Sequence, residues 1–328
     1  MKRICVVGAG AVGGWMAARI GRAAGDEVRL SALARGATLA ALQAQGLRMD
    51  IGGERHTVPI TAGDSAAALG PQDLVIVAVK GPALAAVAPA VRALLGPQTL
   101  VLVAMNGLPW WFFDGLDGEA RDLRLASVDP GEVIRRLIPT ERVIGCVVHA
   151  SCAVAEPGLV RHAVGNGLIV GAPDGSRSAE LDRLAALLSR AGFDTTVSGH
   201  IQRDIWFKLW GNMTFNPISA LTGATGNRIL DDELVLGFVT AVMVEAAAIG
   251  ARIGCAVDQT PAQRHAVTRK LGAFKTSMLQ DVEAGRPIEL DALVGAVREV
   301  GVHLGLATPF TDALLGLTRL MAQTRGLY

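Results

Sequence analysis

Near its start the chain reads Gly8-Ala9-Gly10-Ala11-Val12-Gly13, directly after an apolar run at residues 3–7 and at the opening of a helical pattern over residues 11–24. In a GxGxxG sequence between a strand and a helix, the glycines serve a tight turn, close approach of the backbone to a pyrophosphate, and close packing of the helix on the strand. The helix N-terminus offers free N–H groups and a partial positive charge to that pyrophosphate. Residues 8–13 therefore predict a dinucleotide-binding loop, with an ordinary glycine-rich turn as the alternative.

Outward from this loop, short apolar runs alternate with helical patterns, which is typical of a parallel α/β sheet. The predicted strands are residues 3–7, 27–31, 74–79, 100–104, 143–150, 159–163, 168–170 and 193–197, with a hairpin around residues 52–53. Beyond residue 200 the strand patterns almost vanish and helix follows helix. We therefore predict an α/β protein, with an N-terminal Rossmann-type doubly wound sheet over residues 1–199 and an all-α C-terminal domain over residues 200–328.

The composition excludes several classes of protein. Hydrophobic residues make up 51% of the chain and charged residues 19%, which indicates packed cores rather than disorder. The formal net charge is +1, whereas binding to nucleic acid or to an anionic membrane needs a strong basic field. The apolar stretch at 234–257 is interrupted by Glu245 and Arg252, so it predicts a buried helix rather than a membrane span.

The cysteines and histidines point to neither a disulfide scaffold nor a metal site. The four cysteines lie far apart and form no CxxC pair, and the six histidines show no ligand spacing. We expect reduced thiols, a cytoplasmic protein and no bound metal.

The residues after two of the predicted strands indicate which dinucleotide is bound. An NAD site usually carries Asp or Glu at the end of the second strand, but here no carboxylate follows that strand and Arg35 does. A guanidinium suits a ribose 2′-phosphate, which favours NADP(H); the alternative is a surface arginine that caps the next turn. Lys80 ends another predicted strand, where its ammonium could contact a phosphate or the ribose. The alternative is a solvated lysine at the end of a strand.

A second set of polar residues lies further along the chain. Asn106 follows the apolar run 100–104, and Lys208, Asn212 and Asn216 recur at a spacing of four, which places them on one face of a helix. A polar stripe on an otherwise apolar helix suggests a lined cleft, with a solvent-facing stripe as the alternative. Pro217 then predicts a kink or a restart of the helix.

The stretch 277–291 contains Ser277 and Glu289, separated by a Gly-Arg-Pro turn. They therefore belong to different helices, which can converge on one cleft.

Taken together, these motifs resemble the ketopantoate reductase family (2-dehydropantoate 2-reductase) over essentially the whole chain. The matching elements are GxGAxG, Ala-Arg-Gly after the second strand, Val-Lys at the fourth, Asn-Gly, KxxxNxxxNPxxAL and SMxQDxxxGRxxExD. The resemblance implies NADPH-dependent reduction of 2-dehydropantoate to pantoate, a step toward pantothenate, by a homodimer. A small keto acid is then the substrate.

The resemblance also implies roles for individual residues. Lys208 matches the family's general acid, which protonates the carbonyl oxygen as hydride reaches its carbon. Glu289 matches a glutamate that bonds the substrate hydroxyl and stays near the lysine, and Asn106 matches a residue that touches cofactor and substrate. For substrate binding, Ser277 matches the residue that binds the carboxylate. Asn212 and Asn216 complete the substrate-binding set, Asn212 by holding either the substrate or the lysine.

Four features depart from the family pattern. The spacing before Arg35 and the segment between Asn106 and Lys208 are longer than usual, Ile288 stands in place of a threonine, and the asparagine at 227 is shifted. The long segment carries the aromatic residues 110–113, which predict an apolar pocket or lid, or else core or a subunit contact. Most of these departures concern substrate specificity, so reduction of a different 2-keto or 3-keto acid is an alternative. A catalytically silent NADP(H)-sensing protein is a third reading, which the complete set of site residues disfavours.

Overall fold

The computed structural model describes residues 1–328, which pack into two compact units. The first unit comprises Met1–Met105 and Glu132–Ile201, and the second comprises Asn106–Gly131 and Gln202–Tyr328. The sequence pattern placed residues 106–131 in the first domain, but they pack with the second unit, where Phe112 and Phe113 enter the hydrophobic core around Trp206. The assignment of 1–199 and 200–328 as domains stays a prediction.

The first unit contains ten strands and six α-helices. The strands are β1 Arg3–Val7, β2 Arg29–Leu33, β3 Leu47–Ile51, β4 Glu54–Val58, β5 Thr61–Gly63, β6 Gln72–Val77, β7 Leu95–Val103, β8 Val143–Glu156, β9 Leu159–Gly171 and β10 Asp194–Val197. The helices are α1 Ala11–Ala24, α2 Gly36–Gln45, α3 Ala66–Leu69, α4 Gly81–Ala93, α5 Val133–Leu137 and α6 Ala179–Arg190. Short 3-10 helices lie at Gly25–Glu27 and Thr140–Arg142. A third, Pro130–Glu132, lies where the chain passes from the residues of the second unit to those of the first.

All ten strands form one sheet, in the order β4-β3-β9-β8-β7-β6-β1-β2-β5, with β10 beside β9. Only the pairs β3–β4 and β8–β9 are antiparallel, so the predicted parallel-dominated α/β sheet is confirmed. Val7 at the end of β1 pairs with Leu33 of β2 and with Val77 of β6. The carboxyl ends of these three strands therefore meet at one edge, where ligands bind in open parallel sheets.

Several element bounds differ from the sequence prediction. The second strand is Arg29–Leu33 rather than 27–31, because its pairing with β1 continues to Leu33. The two strands predicted at 159–163 and 168–170 are one long strand, β9, in which Gly165 takes a positive φ of 82° where the register with β8 shifts.

The second unit is helical, as the sequence predicted. Its helices are α7 Ile201–Thr222, α8 Gly226–Asp231, α9 Glu233–Arg252, α10 Pro261–Arg269, α11 Ser277–Glu283, α12 Ala296–His303 and α13 Pro309–Thr324, and a π-helical turn at Asp291–Gly295 directly precedes α12. Helix α7 continues through Pro217, so the predicted restart there is wrong.

Helix α9 has one buried face and one exposed face. Val239, Val242 and Met243 are fully buried in the core of the second unit, whereas Leu234 is 80% and Val244 is 55% exposed. By length and composition alone α9 is apolar enough to cross a membrane, a property that the core helices of soluble proteins share. The predicted buried helix is therefore buried along one side only.

The aromatic residues at 110–113 are core residues. All four side chains are at most 3% exposed. The ring of Phe112 lies 5.0 Å from that of Phe113 and 6.1 Å from that of Trp206. This packing supports the core interpretation over a lid.

Candidate active site

The glycine loop has the steric properties that its sequence predicted. Gly8 has a φ of +94°, and a Cβ there would lie 2.8 Å from the backbone of Ala78. A Cβ on Gly13 would lie 2.2 Å from the carbonyl oxygen of Gly8. Neither position has room for a side chain, so these glycines are required by the tight turn and by the packing of α1 on β1.

The middle glycine differs from its neighbours. A Cβ on Gly10 would meet no atom within 4 Å, so the backbone faces open space at this point. Gly10 is also the N-cap residue of α1, whose first turn contains no acidic side chain. Ala9 before it is buried, and Ala11 and Val12 in the first turn are half-buried. An open cradle at an uncapped helix N-terminus fits a pyrophosphate.

A cavity of about 280 Å³ adjoins this loop within the first unit. It is lined by the loop, by the residues after β2 and β6, and by the β8–β9 hairpin; the lining residues are Val7, Gly8, Ala9, Gly10, Leu33, Ala34, Arg35, Thr38, Val79, Val87, Val154, Gly158, Leu159 and Val160. Of this lining, the glycine loop and Arg35 were predictable from their motifs. The hairpin wall was not, because no motif in residues 154–160 marks them as neighbours of residue 8.

Arg35 supplies a positive charge at this cavity. It lies two residues after the end of β2, is exposed, and occupies the N-cap position of α2 without a side-chain capping hydrogen bond. Its side chain is therefore not used as a cap, which was the alternative interpretation. Lys80 is half-buried at the N-cap position of α4, next to the cavity-lining Val79, and its role toward a cofactor stays a prediction.

In the second unit, Lys208 and Asn106 lie together although 102 residues separate them in sequence. The ammonium Nζ of Lys208 donates a hydrogen bond to Asn106 Oδ1 at 2.9 Å. Both residues are half-buried. An amide oxygen carries no net charge, so this bond orients the ammonium without neutralising it.

The backbone next to Asn106 is fixed by close contacts within the second unit. Gly107 has a φ of +83°, and a Cβ there would lie 2.5 Å from the carbonyl oxygen of Ala292. The N–H of Leu108 donates to that same oxygen at 2.8 Å. The Asn-Gly pair therefore has a physical reason, since only glycine permits this approach to the π-helical turn.

A second anchor holds the same segment further along. The carboxylate of Glu299 on α12 accepts hydrogen bonds from the N–H groups of Ala126 and Ser127, at 2.7 and 3.0 Å, and from the Ser127 hydroxyl. Segment 106–131 is thus tied to the π-helical turn at one end and to α12 near the other.

The remaining predicted site residues also lie in the second unit. Asn216 on α7 is only 6% exposed, which argues against a solvent-facing polar stripe, and Asn212 one turn earlier is half-buried. Ser277 is the exposed first residue of α11. Glu289 is half-buried in the link between α11 and the π-helical turn, so the prediction that it lies on a second helix is wrong. That Ser277 and Glu289 converge on Lys208 stays a prediction.

Two departures from the expected pattern have local explanations. The Ile288 side chain is 2% exposed and belongs to the core of the second unit, so it contributes packing. Asn227 lies in the first turn of α8, where its Oδ1 accepts a hydrogen bond from Thr225 Oγ1 at 2.7 Å.

Comparison with known proteins relates this geometry to one family. Residues 4–175 match the family model described as ketopantoate reductase PanE/ApbA, and residues 200–322 match the model of its C-terminal part. A 2-dehydropantoate 2-reductase of Mesorhizobium japonicum is 43% identical over 326 residues, covering 99% of both chains.

Solved structures agree with the family models. A candidate ketopantoate reductase of Ralstonia solanacearum MolK2 is 58% identical, with a TM-score of 0.95 over 100% of both chains. A D-mandelate dehydrogenase with NADH and anilino(oxo)acetate has a TM-score of 0.84 at 20% identity, over 99% of this chain and 100% of the other. At that identity the likeness shows the fold alone.

Proposed function

This chain belongs to the ketopantoate reductase family, and on that premise we propose that it reduces 2-dehydropantoate to pantoate with NADPH, using Lys208 as the general acid. The family is an enzyme family of nicotinamide-dependent oxidoreductases that act on a keto acid. The observation that carries the proposal is the hydrogen bond of 2.9 Å between Lys208 and Asn106. It places an oriented ammonium beside the residue that the resemblance assigns to both cofactor and substrate.

Lys208 acts on the carbonyl oxygen of the keto acid. The hydride that reaches the carbonyl carbon would come from bound NADPH, and its addition would convert the C=O double bond into a C–O single bond. As negative charge develops on the oxygen, the Lys208 ammonium stabilises it and then transfers a proton from Nζ, which leaves a neutral amine and a 2-hydroxy acid. Asn106 holds Nζ in place through its amide oxygen.

The other polar residues of the second unit position the substrate. The Ser277 hydroxyl donates to the substrate carboxylate, and the carboxylate of Glu289 accepts from the substrate hydroxyl. The amides of Asn212 and Asn216 offer both donors and acceptors along the same helix face as Lys208. These assignments follow the family motif.

The first unit holds the cofactor in this proposal. The open cradle at Gly10 receives the pyrophosphate at the N-terminus of α1. Arg35 meets the ribose 2′-phosphate, and Lys80 meets a phosphate or the ribose. The preference for NADP(H) over NAD(H) is supported by the arginine in the cavity wall and by the absence of a carboxylate after β2.

We further infer a cytoplasmic homodimer. The four cysteines form no disulfide bond, which is what a reducing compartment favours. The exposed apolar face of α9, which includes Leu234 and Val244, offers surface that a second copy can cover.

Oxidation of NADPH in the presence of ketopantoate tests the proposal. We expect turnover by the unaltered protein and a loss of kcat of about 10²- to 10⁴-fold in Lys208→Ala, the usual contribution of a general acid. Lys208→Arg keeps the charge but does not release a proton near neutral pH, so it also remains slow. The exposed Lys270 provides the matched control, because Lys270→Ala removes an equal charge and leaves kcat unchanged.

Each other outcome has a distinct meaning. Undiminished turnover in Lys208→Ala would remove the general-acid assignment. If the unaltered protein binds NADPH tightly but does not oxidise it with ketopantoate, the substrate is a different keto acid. If no keto acid supports oxidation, the silent NADP(H)-binding alternative replaces the proposal.

A further inference from the structure

The peptide that carries Glu289 is bound on both sides of that residue by the two residues Leu327 and Tyr328, which we call the clamp. The N–H of Ile288 donates to the carbonyl oxygen of Leu327 at 3.0 Å. The phenol of Tyr328 donates to Oδ1 of Asp291 at 2.7 Å. These two bonds lie one residue before and two residues after Glu289.

The clamp is itself well anchored within the second unit. Gly326 takes a positive φ of 66° after the last turn of α13, and the N–H of Leu327 donates to the carbonyl oxygen of Ala322 at 2.7 Å. This is a glycine-terminated helix end of the kind that satisfies the last carbonyls. The Leu327 side chain is 4% exposed and lies in the hydrophobic core, so the clamp is fixed to α13 independently of the peptide that it holds.

The phenol is suited to a permanent donor role. Burial, the hydrogen bond to Asp291 and the charge of that carboxylate raise the pKa of Tyr328 to about 12. The hydroxyl therefore keeps its proton throughout the neutral range, and the bond to Asp291 is a charge-assisted one.

The clamped peptide also contacts the segment that carries Asn106. The carbonyl oxygen of Ala292 accepts the N–H of Leu108 at 2.8 Å, and Asn106 in turn accepts the hydrogen bond of Lys208. Residues 288–292 thus lie between the clamp and the Lys208–Asn106 pair. The π-helical turn at 291–295 supplies this geometry, and such turns are frequent at functional sites.

We propose that Tyr328 is a positioning residue for Glu289, which it orients by holding Asp291 while Leu327 holds Ile288. The inference rests on the proposed function, in which Glu289 binds the substrate hydroxyl. Tyr328 touches neither substrate nor cofactor in this role and acts only through the peptide at 288–292.

Tyr328→Phe is the appropriate variant, because it removes one hydroxyl from a side chain that is 51% exposed and keeps the ring. We expect kcat/KM for ketopantoate to fall by about three- to tenfold, the range of an ordinary hydrogen bond, because solvent screens the charge of this half-exposed pair. KM for NADPH and the unfolding temperature stay unchanged. Thr324→Ala is the matched control, since it also removes a hydroxyl hydrogen bond at the end of α13, whose acceptor is the carbonyl oxygen of Met321 and not a residue of the clamped peptide.

A double-mutant cycle with Glu289→Ala separates this role from a general loss of stability. If Tyr328 acts through Glu289, then Tyr328→Phe has no further effect on kcat/KM once Glu289 is alanine. Equal effects in both backgrounds, or no effect in either, would overturn the inference. If Glu289→Ala alone leaves kcat/KM unchanged, the role of Glu289 in the proposed function is what fails.

Hydrogen exchange supplies a readout that needs no substrate. In Tyr328→Phe the amides of residues 288–292 should exchange faster than in the unaltered protein, whereas Thr324→Ala leaves them unchanged. Exchange at 288–292 that does not respond to Tyr328→Phe would overturn the clamp even if ketopantoate is not the substrate.

Discussion

Arg35→Ala should separate the binding of NADPH from the binding of NADH. Arg35 supplies a cationic side chain to the wall of the cavity beside the glycine loop, two residues beyond β2. The two dinucleotides differ only in the 2′-phosphate. A residue that contacts this group alone should therefore affect one cofactor and spare the other.

The size of the effect follows from the exposure of the side chain. A hydrogen bond to a charged group contributes about 1.5–3 kcal/mol, but Arg35 is exposed, and solvent screening reduces such interactions. We therefore take the lower half of that range, about 1.5–2 kcal/mol, which corresponds to about a 10- to 30-fold increase in Kd for NADPH. Kd for NADH should change much less.

Titration of each variant with both cofactors measures this difference. Arg29→Ala is the matched control, because Arg29 is an exposed arginine at the opposite end of the same strand. Equal weakening of NADPH and NADH would mean that Arg35 contacts a phosphate common to both. An unchanged Kd for NADPH would place the 2′-phosphate elsewhere. Either result would refute the assignment of Arg35 to the 2′-phosphate.

Two glycine substitutions, one cap substitution and a change of pH test the loop, a helix cap and the thiols of the half-buried Cys152 and the buried Cys255. Gly10→Ala should weaken NADPH binding without lowering the unfolding temperature. Gly13→Ala, whose Cβ would lie 2.2 Å from a carbonyl oxygen, should lower the free energy of unfolding by about 1–3 kcal/mol. Similar shifts of the unfolding temperature in both variants would contradict the different roles of the two glycines. Glu245→Ala removes the carboxylate that caps the N-terminus of α13 and should cost about 1–2 kcal/mol in denaturant unfolding, and an unchanged midpoint would show that the cap contributes nothing. Burial raises the pKa of both Cys152 and Cys255 to about 12. Because the thiols ionise more easily when unfolded, their contribution to stability is complete below the usual pKa of about 8.5 and is lost as the pH rises toward about 12. A free energy of unfolding that increases over this alkaline range would contradict the raised pKa of the two thiols.

The first unit was predictable wherever glycine ends an element. The observed bounds of β1 and α1 are the predicted ones, since the glycine loop separates them and Gly25, with a φ of 49°, ends the helix. The end of β2 and the continuity of β9 depend instead on pairing with β1 and β8. Such pairing is set by residues distant in sequence, which a local pattern does not contain.

The candidate site also has some parts that a local sequence pattern predicts and others that depend on residues distant in sequence. The loop at 8–13 is contiguous, and its steric requirements can be read from its sequence. The hairpin wall at Val154 and Gly158 comes from a part of the chain about 150 residues away, with no motif. The spacing of Lys208 identified a helix face, but its hydrogen bond to Asn106 was not predicted. The family resemblance gave Asn106 only a contact with cofactor and substrate, and no periodicity links residues 102 apart in sequence.

The discontinuous second unit affects how the protein is made. Residues 106–131 are synthesised before β8 and β9 of the first unit, and also before the helices of the second unit, to which these residues belong. At a synthesis rate of about 5–20 residues per second, the nearly 200 residues still to come take about 10–40 s. During that time the aromatic residues 110–113, which are at most 3% exposed once folded, have no completed core to enter. The nascent chain therefore exposes an aggregation-prone aromatic segment during most of its translation. The yield of folded protein in a cell should depend on chaperones that bind such segments.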